Sequence, residues 1–227
     1  MTRTHLLTGA GSGMGAVLAE RLLERGDSLL LLARSTERAH DLRADLPDAT
    51  VLVADLADAA TVAAVAEQLA DSLDSVVHAA GVVDLGRVAE LTTDAWQSQL
   101  AVNLVGPAVL TRVCLPALRA ARGTVVFVNS GQGLAASPGW SAYAASKHGL
   151  RALADSLRAE EQEHGVRVTT VFPGRTATPM QLKVHQQEGN EYDASHWIEP
   201  DTVVDAILHV LDLPGDATVS DLTIRPR

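Results

Sequence analysis

The sequence predicts a doubly wound α/β fold in one domain, residues 1–227, around a seven-stranded parallel sheet. Three observations predict it. Short apolar runs bounded by turn residues alternate, from one end of the chain to the other, with longer segments whose apolar residues recur at helical spacing. Runs such as Leu29–Leu32 and Val125–Val128 are apolar at consecutive positions, which suits strands covered by helices on both faces. No repeat, low-complexity tract or Pro/Gly-rich linker marks a second domain.

The apolar runs place strands near His5–Thr8, Ser28–Ala33, Thr50–Ala54, Ser75–His78, Thr124–Asn129, Arg167–Phe172 and Thr218–Ile224. Helical periodicity places helices at Gly15–Arg25, Thr61–Ser72, Thr92–Arg119, Ala142–His164 and Pro200–Leu211. Strands joined by helical crossovers pair in parallel and wind the sheet on both sides. Pro179–Glu199 breaks the pattern, being polar with the aromatic residues Tyr192 and Trp197, and it follows a strand end. Ligands of open α/β sheets bind beyond the carboxyl ends of strands, so this stretch reads either as a substrate lid or as an ordinary surface loop.

Composition narrows the function. The chain carries 18 Lys and Arg against 28 Asp and Glu, a net charge of −10, with no basic run, so nucleic acid is not expected as a partner. The densest apolar run, Leu29–Leu32, is far shorter than the roughly 20 residues of a membrane span, and no membrane association is expected. No signal peptide is evident. The single cysteine, Cys114, forms no internal disulfide or multi-cysteine metal site, so the expectation is a cytoplasmic protein with no bound metal.

Thr8-Gly-Ala-Gly-Ser-Gly-Met-Gly15 links the first strand to the first helix. Glycines let backbone turn with positive φ and approach a pyrophosphate, while the helix behind offers free N–H groups and a positive dipole end. Glycine turns also serve plain strand-to-helix packing, but this one sits where a Rossmann domain binds its dinucleotide. Sites preferring NAD usually place Asp or Glu near the end of the second strand. Here that strand ends Leu32-Ala33-Arg34-Ser35, and an Arg with a hydroxyl suits a 2′-phosphate. NADP is therefore expected over NAD, with Arg38 as further support.

Tyr143 and Lys147 are four residues apart and share a face of the helix near Ala142. A tyrosine titrates near 10 in water, so acid or base work near neutrality needs a shift of roughly three units, about 4 kcal/mol, part of which a neighbouring ammonium supplies. Ser130 ends the fifth strand and offers a hydroxyl to a carbonyl or alcohol oxygen. Taken singly, such residues are common on helix surfaces and as strand-end caps.

Together the glycine turn, Ser130, Tyr143 and Lys147 resemble the short-chain dehydrogenase/reductase family, over essentially the whole chain. Gly9, Ser12, Gly13, Met14 and Gly15 match that family's cofactor loop. Asp55 and Leu56 resemble its adenine contact, Ala80 and Gly81 follow the fourth strand, and Pro173, Gly174, Thr176 and Thr178 resemble the loop that holds the nicotinamide and diphosphate. The resemblance implies that Tyr143 is the general acid in reduction and the base in oxidation. It implies that Lys147 lowers the pKa of Tyr143 and binds the nicotinamide ribose, that Ser130 positions the substrate oxygen, and that Asn103 holds a relay water.

Two departures stand out. His78-Ala-Ala-Gly81 replaces the family's usual Asn-Asn-Ala-Gly, and a structural histidine is the expected reading of His78. Ser12 stands where many NADP-preferring members carry a basic residue, which leaves Arg34 and Ser35 as the expected phosphate ligands.

The expected activity is hydride transfer between NADP(H) and a carbonyl or secondary alcohol of a small molecule. A non-catalytic NADP(H) sensor of the same fold is the alternative, although such modules typically lose the tyrosine or lysine. A same-fold isomerase or dehydratase and a plain interaction protein fit less well. The long apolar helices at Thr92–Arg119 and Ala142–His164 point to a homodimer or homotetramer, or to a single intrachain core.

Overall fold

The computed structural model describes residues 2–227. Its strands are β1 (Thr4–Thr8), β2 (Ser28–Ala33), β3 (Thr50–Val53), β4 (Ser75–His78), β5 (Thr124–Val128), β6 (Arg167–Pro173) and β7 (Asp221–Ile224). They form one parallel sheet in the order β3-β2-β1-β4-β5-β6-β7. Successive side chains of a strand point to opposite faces, and the sheet divides its apolar residues accordingly. Leu7, Leu29, Leu31, Val77, Val126 and Val171 enter one core, while Leu6, Leu30, Leu32, Val76, Val125 and Val168 enter the other.

The helices are α1 (Gly13–Glu24), α2 (Thr36–Asp45), α3 (Ala59–Ala64), α4 (Thr93–Leu100), α5 (Gly106–Ala121), α6 (Ser141–Glu160), α7 (Pro179–Glu188) and α8 (Pro200–Leu211). Leu18 and Leu22 of α1 and Val203 and Ile207 of α8 close the first core. Leu110 and Leu118 of α5 and Leu150 and Leu157 of α6 close the second. The chain reverses its direction of travel across the sheet between β1 and β4, and that reversal opens the crevice in which α/β sheets bind ligands.

Several elements differ from expectation. The helix expected at Thr61–Ser72 is α3 followed by a 3-10 turn, Val65–Gln68, that brings Leu73 back to the core. The helix expected at Thr92–Arg119 is α4 and α5 joined by one turn of π-helix, Ala101–Val105. Half of the stretch at 179–199 is the helix α7, started by the Thr178 cap and Pro179 and ended at Gly189 in the left-handed region, φ +70°. The low apolar periodicity of α7 hid it.

The continuous helical run Thr93–Ala121 is long and apolar enough by composition to cross a bilayer, with a mean hydropathy of 1.5 in its most apolar stretch. It lies instead against the sheet, with Leu110, Cys114 and Leu118 fully buried, so its apolar character belongs to a core helix with one face left over.

Candidate active site

The glycine turn adopts the backbone that its residue types permit. Gly9 and Gly13 lie at φ +81° and +55°. A Cβ on Gly9 would fall 2.7 Å from the Ala80 nitrogen, and one on Gly15 would collide with the Gly9 carbonyl oxygen. Bare backbone is therefore required for β1, α1 and the β4 exit to meet. Ser12 precedes α1 without a side-chain cap, and the first turn holds no acidic residue, so the positive end of the helix stays open to an anion.

A cleft of about 620 Å³ runs along this turn. Gly9, Ser12, Gly13, Met14, Gly15, Arg34, Asp55, Leu56, Ala80, Gly81 and Thr178 line it. Among the described residues, no hydrogen bond or ion pair engages the exposed Arg34 side chain. Arg38 reaches over the turn, with Nη2 3.5 Å from the Gly11 carbonyl oxygen, and its Nη1 pairs with Asp41 at 2.8 Å. Ser35 is not among the residues lining the cleft; it caps α2, accepting at Oγ from the Arg38 nitrogen at 3.2 Å, which leaves its O–H free to donate.

Beside the cleft, and sharing Met14, Thr178 and Met180 with it, is a chamber of about 340 Å³. Ser130, Tyr143, Pro173, Gly174 and Thr176 line it. Parallel pairing of β5 with β6 carries Ser130 and Pro173 to the same sheet edge, and α6 presents Tyr143 there. Ser130 opens a short 3-10 turn, its Oγ accepting from the Gln132 nitrogen at 3.2 Å. Asn129 braces this corner: its Oδ1 accepts from the Ser130 nitrogen at 2.8 Å, and its Nδ2 donates to the Lys147 carbonyl at 3.0 Å.

Lys147 and Asn103 stand behind the chamber, each almost wholly buried. Lys147 Nζ donates to the Val128 carbonyl at 3.0 Å and lies 5.7 Å from the centre of the Tyr143 ring. The π turn at Ala101–Val105 swings Asn103 inward, where Oδ1 accepts from the Val82 nitrogen at 2.8 Å and Nδ2 donates to Ser146 Oγ at 3.0 Å. A Cβ built on Gly81 lies 3.3 Å from Asn103 Oδ1 and 3.8 Å from Lys147 Nζ, so both polar ends converge on that glycine.

Burial pushes the Tyr143 phenol up to about 12, against the pull of the Ser130 hydroxyl, and brings the Lys147 ammonium down to about 8. Desolvation favours the neutral form of each group, and the downward pull on Tyr143 comes from Ser130, not from Lys147 as expected. His78 is buried, with Nε2 2.8 Å from Thr111 Oγ1 and its ring stacked on Phe127 at 4.9 Å. Burial first and the Lys147 charge second take it down to about 3, so it sits neutral at the strand end.

With these elements in place, the profile of the short chain dehydrogenase family matches residues 3–189. The chain belongs to that family. An uncharacterized oxidoreductase of Staphylococcus epidermidis is 27% identical over 229 residues, covering 99% of this chain and 97% of its own length. A dehydrogenase/reductase SDR family protein 7-like of Drosophila melanogaster is 32% identical, covering 96% of this chain and 72% of its own. Among solved structures, a short-chain dehydrogenase from Sphingobium yanoikuyae in complex with NADPH superposes with a TM-score of 0.81 at 29% identity, over 98% of this chain and 87% of its own.

In this short-chain dehydrogenase the site also gathers residues that sequence reasoning passed over. Asn129 was legible only as the neighbour of Ser130. Trp140 packs edge-on against Tyr143 at 5.7 Å, and Val83, Val184 and Met180 complete an apolar collar around the phenol. Arg225, on the chamber wall, lies 95 residues from Ser130 in sequence but directly after the carboxyl end of β7, the edge where ligands gather.

Proposed function

We propose that the protein is an NADP-dependent oxidoreductase that transfers a hydride between NADP(H) and the carbonyl or secondary alcohol of a small molecule. The single observation that carries this reading is the meeting of Ser130 and Tyr143 in one chamber that shares a wall with the glycine-lined cleft. The cleft fits a dinucleotide because a Cβ is barred at Gly9 and Gly15 and the start of α1 is open. Arg34, free of any internal partner among the described residues, supports a 2′-phosphate at its mouth. The complex of the Sphingobium relative with NADPH supports the same cofactor class.

Bound there, NADPH supplies the hydride. Ser130 Oγ donates a hydrogen bond to the substrate oxygen and so orients the carbonyl carbon toward the shared wall. Tyr143, neutral throughout the physiological range, gives its proton to that oxygen as the carbonyl carbon gains the hydride. As the C=O π bond breaks, the new O–H bond takes its proton from Tyr143, and the new C–H bond would take the hydride that the cofactor supplies on its oxidation. The Lys147 ammonium, 5.7 Å from the Tyr143 ring centre, would return a proton to the phenolate that this leaves, with Asn103 holding a relay water beside Gly81. The α7 helix closes the chamber as a lid, pinned by Arg175 to Glu188 at 2.7 and 2.8 Å and by Lys183 to Asp84 at 2.6 Å.

Tyr143→Phe is expected to lower carbonyl-dependent NADPH oxidation by about 100-fold or more while NADPH still binds, as followed by cofactor absorbance and fluorescence. Retained turnover in that variant overturns the assignment. Binding of NADPH by the wild type without oxidation across a broad carbonyl panel marks a sensor instead.

A further inference from the structure

The chamber beside Ser130 has a charge imbalance that the reaction itself does not require. Its walls carry two arginines, Arg175 and Arg225, and no Asp or Glu, in a chain of net charge −10. Arg175 is already satisfied: its guanidinium forms a two-bond fork with Glu188 and lies over the rings of Trp140 and Trp197 at 6.0 and 5.4 Å. Arg225 differs. Among the described residues its side chain has no ion pair and no hydrogen bond.

Its placement is close to the chemistry. A Cβ on Gly131, the residue after Ser130, would fall 3.0 Å from Arg225 Nη1. The guanidinium therefore lies against the turn that holds the Ser130 hydroxyl. Arg225 is solvent-exposed at the open side of the chamber, and its planar fork of donors, without an internal partner among the described residues, matches a carboxylate in geometry and charge. The chamber volume of about 340 Å³ sits at the small end for ligand sites.

We propose that the substrate is a small oxo or hydroxy acid whose carboxylate is held by Arg225 while its reacting oxygen lies at Ser130 and Tyr143. The turnover half of this proposal rests on the oxidoreductase reading above; the recognition of the carboxylate does not.

The test has a binding arm and a kinetic arm, both on the full chain saturated with NADPH. In the first, benzoate and benzamide are titrated by calorimetry into the wild type, Arg225→Gln and Arg225→Lys. Benzoate is expected to bind the wild type about 10- to 100-fold more tightly than it binds Arg225→Gln, with Arg225→Lys between them. Benzamide affinity is expected not to follow the series. In the second, pyruvate, acetoacetate and levulinate are compared with their methyl esters. The wild type is expected to favour at least one acid over its ester by about tenfold or more in kcat/KM, and Arg225→Gln to bring that ratio toward one.

Equal benzoate affinity in the wild type and Arg225→Gln, with both folded by circular dichroism, overturns the proposal. So does a wild-type preference for the esters. Benzoate binding that depends on Arg225, without any carbonyl turnover, leaves carboxylate recognition standing and overturns the oxidoreductase reading.

Discussion

His78 and Lys147 share the interior at the carboxyl edge of the sheet, and burial holds both toward their neutral forms. For His78 the consequence is acid sensitivity. The unfolded chain protonates this ring below about 6.5, whereas the folded chain resists until about 3, so the unfolded state binds more protons between those values. The stabilising contribution is complete above pH 6.5 and is lost as the pH falls toward 3. Between pH 7.5 and pH 5, urea unfolding is expected to show the wild type losing about 2 kcal/mol more than His78→Asn. An equal loss in both proteins would place the acid sensitivity elsewhere. Arg34 decides a different property at the same scale. Arg34→Glu is expected to lower the preference for NADPH over NADH by about tenfold or more in affinity, read by fluorescence titration. An unchanged ratio would shift the phosphate to Arg38, whose guanidinium already leans over the glycine turn.

Elements place these residues, and α1 shows how little tolerance they leave. Its first turn approaches β1 so closely that the Gly9 carbonyl occupies the space a side chain at residue 15 would need. Gly15→Ala is therefore expected to push α1 away from the phosphate cradle and to lower NADPH affinity by about tenfold or more, with a lower Tm in thermal unfolding. Wild-type affinity in that variant would show that the helix start does not contact the cofactor. The break between α4 and α5 plays the opposite part. One turn of π-helix inserts a residue into the periodicity, which rotates Asn103 into the interior beside Ser146 and Val82 instead of leaving it on a helix flank. Helical periodicity read across Thr92–Arg119 as one segment conceals that rotation, because a single register shift alters which residues face inward without changing composition. In α7 the Thr178 cap, Pro179 and the left-handed Gly189 were visible signals, but a polar sequence masked them.

At the scale of the molecule, the run from α4 through α5 buries one face on the sheet and leaves apolar residues on the other, with Val105 47% exposed. We propose that a second copy of the chain covers this face in a homodimer or homotetramer. Light scattering is expected to give at least twice the 23.9 kDa of one chain for the wild type and a shift toward one chain for Val105→Arg. A wild-type mass of one chain would refute it. Asn103 came only through the family resemblance, whereas the amino-acid sequence by itself determined the α/β class, the strand runs, the glycine turn, the strand-end place of Ser130 and the shared helix face of Tyr143 and Lys147. Each of these is written in local pattern or in spacing along one element, where backbone geometry converts sequence distance directly into position. Only the tertiary structure decided that burial dominates the acidity of Tyr143, that Ser35 caps α2, and that Arg225 shares a chamber with Ser130. Those outcomes depend on desolvation and on pairing between β6 and β7, quantities set by what the folded chain packs around a residue and not by its neighbours in sequence.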